Sequence, residues 1–453
     1  MAVSLGQKLF RGQKITLMGL GLLGRGVGDA KFLAASGAEL TVTDRKTAVE
    51  LRASVEQLKK FSNIKFILGE HRLSDFRGRD LIIRGADVPP DSPYLAEAKR
   101  QKIPTTMSTA LFAKYAQLKG VELIGVTGTR GKSTTTHLLF EILKRAAGRA
   151  RTVFLGGNVR KVATLPFLNK IKPGDRAVLE LDSWQLQGFG AEKISPQLAI
   201  FTNFFPDHLN YYHGDLAKYL ADKANIFLNQ TAKDYLIIGE QVAPLIQKTY
   251  GAKIKSQIII AWPKDLPIDW QIKLPGEHNR YNFALALAAS SVLNISPNIV
   301  RTVMENFAGV AGRLELIRDH NGVKIYNDTT ATTPEATLAG LRALAEKKKV
   351  ILIMGGTDKN LDLTILVKNL PRYCREIILL PGTGTDKLLA EGDQLKTRTV
   401  GNLKEAVNSA LTKARAGDII LFSPAFSSFG PPPGGFQNEF DRGDQFVKLI
   451  KDY

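Results

Sequence analysis

The sequence predicts an α/β protein built of three doubly wound units, and three observations carry that prediction. A chain of 453 residues is too long for one ordinary core, given roughly 150 residues per domain. Short apolar runs alternate with helix-like segments along almost its whole length, the pattern of parallel strands joined by crossover helices. Two of the strand-to-helix junctions are rich in glycine, where a helix N-terminus and a closely approaching backbone suit a phosphate group.

The first unit reads as strand Lys14 to Leu20, helix Arg25 to Ser36, strand Ala38 to Asp44, helix Thr47 to Lys60 and strand Asp80 to Arg84, with Gly85 next. Gly19-Leu20-Gly21-Leu22-Leu23-Gly24 joins the first strand to its helix, and Asp44-Arg45 closes the second strand. Taken alone this fingerprint reads as NAD binding. Any ligand with a diphosphate and a ribose sets the same problem, however, and a tight structural turn uses glycines too.

After the Pro-containing stretch Gln101 to Thr109 the pattern restarts. The strand-like run Val121 to Val126 leads into Gly125-Val-Thr-Gly128-Thr129-Arg-Gly131-Lys132-Ser133-Thr134, and a helix-like run follows from Thr135 to Lys144. Strict phosphate-loop spacing would put a glycine at Val126, so the loop is a variant. Lys132 would pair with the outer phosphates of a nucleotide and Ser133 would hold Mg²⁺. Further strands are expected at Arg176 to Leu181, Leu198 to Phe204 and Asp234 to Gly239. Glu180 ends one of them, where a carboxylate could reach the same metal. Pro206-Asp207-His208 follows another and brings a histidine to the same row of strand ends. Lys223, in the helix-like segment Leu216 to Leu228, reads from its local pattern as a solvated lysine. Gly276-Glu-His-Asn279-Arg-Tyr-Asn282 precedes an alanine-rich helix, Phe283 to Leu293, and offers two amides where capping explains only one.

A third unit begins near Gly309, with buried strands at Val350 to Gly356, Glu376 to Leu380 and Asp418 to Ser423. Tyr326-Asn-Asp328-Thr-Thr330-Ala-Thr332-Thr-Pro334 ends a strand and begins a helix, with Arg313 upstream; Asp328 either caps that helix or meets a ribose. Gly430-Pro431-Pro432-Pro433-Gly434-Gly435 is a short stiff element. The expected divisions are 1–107, 108–308 and 309–453.

Composition narrows the class. Hydrophobic residues at 44% and charged residues at 23% suit a soluble globular protein, and no apolar run approaches the roughly 20 residues of a membrane span. The basic N-terminal segment leads straight into the glycine fingerprint and reads as a first strand, so a cytoplasmic location is expected. Cys374 is the only cysteine, which excludes an internal disulfide. The net charge of +19 is scattered rather than gathered into a tail or stripe, which favours anionic small molecules over nucleic acid.

Together and in this order, these motifs resemble the Mur ligase family, whose members join amino acids to UDP-N-acetylmuramoyl precursors of peptidoglycan at the expense of ATP. The resemblance covers nearly the whole chain. It rests on Gly125 to Ser133, Gly156-Gly157-Asn158, Glu180-Leu-Asp-Ser183-Trp-Gln185-Leu, Asp207-His208, Lys223, Gly276 to Asn279, Arg313, Asn327-Asp328, Gly355-Gly356-Thr-Asp-Lys359 and Ser423-Pro424-Ala425. It implies a Rossmann-like N-terminal domain, a central ATPase domain and a Rossmann-like C-terminal domain. The N-terminal glycines with Asp44-Arg45 resemble the glutamate-adding branch and override the NAD reading. The implied reaction adds D-glutamate to UDP-N-acetylmuramoyl-L-alanine through an acyl phosphate. Gly21, Leu22, Asp44, Arg45 and Gly85 would hold the uridine diphosphate, and Asn158, Ser183 and Gln185 the muramoyl-alanine. Gly128, Thr129, Gly131, Lys132, Ser133, Thr134, Asn279, Asn282, Arg313 and Asp328 would bind ATP. Ser133 and Glu180 would hold one Mg²⁺, and His208 with a carbamylated Lys223 a second. Thr332, Lys359 and Ser428 would receive the amino acid. The resemblance further implies a monomer acting on small molecules.

The chain departs from the glutamate-adding pattern at Thr330, where that pattern has lysine, and at Asn438-Glu-Phe-Asp-Arg442-Gly443, where it reads Asn-Phe-Glu-x-Arg-Gly. The same chemistry with L-glutamate or another amino acid is therefore an alternative, and a folylpolyglutamate-synthase-like ligase a second.

Overall fold

A computed structural model describes residues 3–22, 24–345, 349–428 and 435–453. The Pro431 to Pro433 element lies outside the described residues. The chain forms two compact units, residues 1–269 with 281–304, and residues 270–280 with 305–453.

The first unit holds two sheets. Strands β1 (Lys14–Met18), β2 (Glu39–Asp44), β3 (Ile64–Leu68), β4 (Leu81–Arg84) and β5 (Thr105–Thr106) run parallel in the order β3-β2-β1-β4-β5. Strands β6 (Glu122–Thr127), β7 (Val153–Gly157), β8 (Arg176–Glu180), β9 (Leu198–Phe201), β10 (Tyr235–Gly239) and β11 (Gln257–Ala261) run parallel in the order β11-β10-β9-β6-β8-β7. Interior strands are largely buried and mostly apolar because helices cover both faces. A single hydrophobic cluster runs from Ile15 and Val42 of the first sheet to Leu123, Leu179 and Phe201 of the second. Both sheets therefore share a core, and Arg25 of the helix Arg25–Ala35 reaches Asn158 beyond β7.

The second unit carries β12 (Glu315–His320), β13 (Val323–Asn327), β14 (Val350–Gly355), β15 (Cys374–Leu380), β16 (Thr397–Thr399) and β17 (Ile419–Phe422) in the order β12-β13-β17-β14-β15-β16. Only the β12-β13 hairpin is antiparallel among these described pairs. Its two faces are packed by separate apolar clusters, one around Leu352 and Leu421, the other around Ile353 and Phe422.

Several local expectations change. The helix expected from Thr47 to Lys60 is regular only over Arg52–Glu56. The stretch Gln101 to Thr109 contains β5 and the start of the helix Ser108–Leu118. The alanine-rich helix begins at Glu277, not Phe283, so Asn279 and Asn282 lie within its first turns. The helix after β13 begins at Pro334 and is capped by Thr333, not by Asp328.

Candidate active site

In each sheet the residues singled out by the sequence gather at the carboxyl ends of three adjacent strands, where open α/β sheets place their ligands. These are β2-β1-β4, β9-β6-β8 and β13-β17-β14.

The middle trio contains the phosphate loop. From Thr127 the chain turns through Gly128 to Gly131 and enters the helix Lys132–Ala147. Gly131 has φ +82° and, as a glycine N-cap, brings no side chain of its own to the helix N-terminus, the end of a helix that suits an anion. A Cβ on Gly131 would overlap Asn282 Oδ1, and one on Gly128 would overlap Thr202 Oγ1, so glycine is needed at both places. The loop is tied to the end of β9: Thr129 N donates to Asn203 O at 2.9 Å, Arg130 N to Asn203 Oδ1 at 2.8 Å and Thr202 Oγ1 to Arg130 O at 2.6 Å. Lys132 Nζ lies in the loop mouth, donating to Gly128 O at 3.0 Å and Thr129 O at 3.1 Å.

Around this loop stand groups of opposite character. Ser133 and Thr134 follow Lys132 and are buried. Glu180, also buried, ends β8 and pairs in register with Val126 of the strand that leads into the loop. Among the described residues no three or more His, Cys, Asp and Glu side chains gather to cage a metal. A hydroxyl and one carboxylate instead fit Mg²⁺, which keeps several waters and is bound by one or two carboxylates with nucleotide phosphates. Arg130 Nη1 bonds Asp207 Oδ2 at 2.8 Å. Burial opposes ionisation of Asp207, but Arg130 and His208 hold its carboxyl well below the usual range. His208 adopts φ +52° and its ring lies between those of Trp184 and Tyr219, with centroids 4.8 and 6.0 Å away. Burial lowers its pKa despite Asp207, which favours the neutral imidazole that ligates metals.

Lys223 departs from its local reading as a solvated lysine. Asp215 caps the helix Leu216–Ala224, whose inward stripe is Tyr219, Leu220, Lys223 and Ala224. Lys223 is 1% exposed and its Nζ donates to Gly128 O at 2.8 Å, 4.7 Å above the Tyr219 ring. The ring favours a cation, but burial and then the Lys132 charge push the Lys223 pKa well down. The Lys223 amine thus faces the phosphate loop in surroundings that oppose its charge.

Ser183 begins the helix Ser183–Ala191 after β8 and is buried. Gln185 completes a capping box with Asp182 and its Nε2 donates to Thr109 Oγ1 at 3.1 Å, so its amide is engaged within the fold. Asn158 donates its N–H to Glu180 O at 2.7 Å and accepts from Arg25 Nη1 at 2.5 Å. In the first sheet Asp44 Oδ2 accepts from Leu20 N at 2.8 Å and Gly21 N at 2.9 Å, while Oδ1 accepts from Lys46 N at 2.9 Å. The carboxylate expected to face a sugar is clamping the glycine turn. Leu22 and Arg45 are exposed beside it, and Gly85 N donates to Met18 O at 2.7 Å.

In the second unit, Asp328 is buried and accepts from Leu314 N at 3.1 Å and Ser423 Oγ at 2.9 Å. Burial raises its carboxyl to about 7, against the pull of Ser423, Leu314 and Arg313. Asn279 Nδ2 donates to Pro275 O at 2.7 Å. Lys359 Nζ donates to Thr332 Oγ1 at 3.1 Å, and Ser428 Oγ is buried with no hydrogen-bond partner among the described residues. Thr330, where a lysine was expected by pattern, gives its hydroxyl to Gly312 O at 3.0 Å.

Arg442, which the sequence marks only as part of a stretch departing from the family pattern, has a definite place in the structure. It is 1% exposed and donates to Thr329 O at 3.0 Å and Phe426 O at 3.3 Å, tying together the segments that carry Thr332 and Ser428. Burial lowers its pKa to about 10, so it remains a cation. Arg130, Asn203 and Tyr219 were passed over; no spacing rule marks them, because their partners are distant in sequence.

Comparison with known proteins supplies the family. Residues 126–259 match the Mur ligase middle domain and residues 312–426 the Mur ligase glutamate ligase domain. The UDP-N-acetylmuramoylalanine--D-glutamate ligase of Roseiflexus sp. (strain RS-1) is 33% identical, with 98% of this chain and 99% of that protein covered. The enzyme of the same name from Borreliella burgdorferi (strain ZS7) is 36% identical, with 96% of each covered. Among solved structures, the UDP-N-acetylmuramate-alanine ligase of Thermotoga maritima shares the fold at TM-score 0.63 and 20% identity, over 97% of this chain and 99% of that one. A MurF ligase of Thermotoga maritima in complex with ADP shares it at TM-score 0.57 and 15% identity, over 98% and 96%.

Proposed function

The chain belongs to the Mur ligase family, and from that premise we propose that it couples ATP cleavage to the addition of D-glutamate to UDP-N-acetylmuramoyl-L-alanine, as a cytoplasmic monomer divided into domains at 1–107, 108–308 and 309–453. The observation that carries the reading is that Lys132 and the buried Lys223 both donate to Gly128 O of one phosphate loop, with Glu180 on the strand paired to the one that enters it.

The chemical problem is the approach of a carboxylate to a polyanion. Lys132 and the first-turn N–H groups at Lys132 to Thr134 neutralise the γ-phosphate while the alanyl carboxylate attacks it, giving an acyl phosphate and ADP. The neutral amine of the incoming amino acid then adds to the acyl carbon, and phosphate leaves. Mg²⁺, when bound through Ser133 and Glu180 and at a second place through His208 and Lys223, supplies further charge neutralisation. Lys223 suits the second place once its neutral amine has added to CO₂ and lost a proton, which leaves an N-carboxylate where a cation would repel the metal. Asn279, Asn282, Arg313 and Asp328 serve the adenosine end of ATP. Gly21, Leu22, Arg45 and Gly85 take the uridine end, with Asp44 holding their turn. Asn158, Ser183 and Gln185 line the muramoyl-alanine side, and Thr332, Lys359 and Ser428 receive glutamate.

The alternative with another amino acid draws on Thr330, which leaves that position without a cation. Arg442 supplies a buried positive charge beneath the same segment, which favours an acidic amino acid. Measuring ADP release with UDP-N-acetylmuramoyl-L-alanine and each enantiomer of glutamate decides between them. Coupling with D-glutamate is expected; coupling only with L-glutamate would overturn the specificity, and no ADP release with any amino acid would overturn the reading itself.

A further inference from the structure

One hydrogen bond joins the helix that leaves the first glycine turn to a strand end of the second sheet. Arg25 is the first residue of the helix Arg25–Ala35 and follows Gly24 directly. Gly28, on the same helix, lies so close to the segment after β7 that a Cβ there would overlap Ala163 Cβ. At that spacing Arg25 Nη1 reaches Asn158 Oδ1 at 2.5 Å.

The backbone of Asn158 is fixed independently of this contact. Gly157, at the end of β7, pairs in register with Glu180, has φ +83° and approaches Glu180 O so closely that a Cβ would overlap it. Its N–H donates to Thr164 Oγ1 at 2.8 Å, and Asn158 N donates to Glu180 O at 2.7 Å. What remains to be set is the side-chain amide, whose two orientations fill the same space with opposite chemistry. Arg25 decides between them. A guanidinium only donates, so the amide turns its oxygen to Arg25 and its NH₂ away. Among the described residues no protein acceptor takes that NH₂, and Asn158 is only half-buried. An NH₂ held in this way meets a carbonyl or carboxylate oxygen well and an amide N–H badly.

We propose that Arg25 is a positioning residue for the acid substrate: it holds the Asn158 amide as a donor, and so assigns an oxygen of the muramoyl-alanine as the partner of that amide. The inference rests on the function proposed above and deepens its acid-substrate site. Because Arg25 leaves the glycine turn given to the uridine end, the same bond keeps the two ends of that substrate's site at a fixed spacing.

The test separates action through Asn158 from direct contact with the ligand. Arg25→Met keeps most of the side chain's length and removes its donors. The KM for UDP-N-acetylmuramoyl-L-alanine is expected to rise about tenfold, while the KM for ATP and the constant for inhibition by UDP, which lacks the muramoyl-alanine, each stay within about twofold of native. Asn158→Ala is expected to raise the same KM by a similar factor. The double variant Arg25→Met/Asn158→Ala should go no more than about twofold beyond it, because the arginine side then has nothing left to position. If Arg25→Met does not fold, Asn158→Asp keeps a partner for Arg25 but exchanges the NH₂ for an acceptor oxygen, and it should raise that KM by about tenfold or more at an undiminished melting temperature. An unchanged KM in Arg25→Met or in Asn158→Asp, a parallel rise in the inhibition constant for UDP, or a double variant in which the two effects multiply would each overturn the inference. Failure of the native protein to release ADP with this acid would overturn the proposed function instead.

Discussion

Lys223 and Lys132 both donate to the same carbonyl, Gly128 O, yet one is sealed in the interior and the other stands in the loop mouth. Lys132 begins the helix after the phosphate loop, and its replacement by alanine should cut ADP release by about a thousandfold or more while leaving the melting temperature nearly unchanged. Lys223 is sealed in. Its glycine-loop contact and lowered pKa predict that activity depends on dissolved CO₂, so stripping bicarbonate should reduce the rate and adding it back should restore it. A rate indifferent to bicarbonate would argue against the carbamate. At this scale the sequence showed residue types better than residue duties. The phosphate-loop lysine was legible because its spacing is local. The burial of Lys223 was not, since it depends on Tyr219 and on a loop almost a hundred residues away in the chain. Asp44 and Gln185 carried the right signature for ligand contact, but the fold engages both with backbone and cap partners.

Among elements, the helix Arg25–Ala35 carries an unusual cost. Asp29 is buried on it, with Oδ1 lacking a hydrogen-bond partner. Burial lifts its carboxyl from 3.8 to about 7, although Ser108, Arg25 and Leu165 pull the other way. Between those values the folded chain keeps a proton that the unfolded chain has released, so the stabilising contribution of this group is whole below the lower value and is lost as pH rises through the higher one. The native protein should lose on the order of 4 kcal/mol from this site between about pH 4 and 8, read by urea denaturation, and Asp29→Asn should flatten that slope. Gly131→Ala is a second test. Its positive φ and the overlap with Asn282 predict a loss of about 2 kcal/mol and weaker ATP binding, measured by calorimetry. The pattern of strands that the sequence revealed has a physical order. Interior strands such as β6, β8, β9 and β14 are buried on both faces and read as continuous apolar runs. The six strands not foreseen, β3, β5, β7, β11, β12 and β16, are the two edges of each of the three sheets. Along one edge a strand has no partner, and β3, β5, β12 and β16 there alternate or turn polar and lose the apolar signal; β7 and β11 stay apolar but are short.

Across the whole molecule, three parallel-dominated sheets present their carboxyl ends as ligand rows, and the chain carries a net charge of +19 to bring anions to them. Every substrate of the proposed reaction is anionic. Added potassium chloride should therefore lower kcat/KM for the nucleotide-sugar acid while kcat stays nearly constant, because screening acts on encounter and not on the bound state. A salt-independent kcat/KM would leave the charge without this role. The gross α/β plan was legible because alternation and glycine junctions recur along the chain; the shared core of the first two sheets was not, since nothing local announces which helix faces meet. The Asp44 clamp has one more consequence. A turn that brings its own anion holds its shape with no guest present, so the amides of Leu20 and Gly21 should resist deuterium uptake equally in the bare and the substrate-loaded protein, and capture of the uridine end should draw little on conformational entropy.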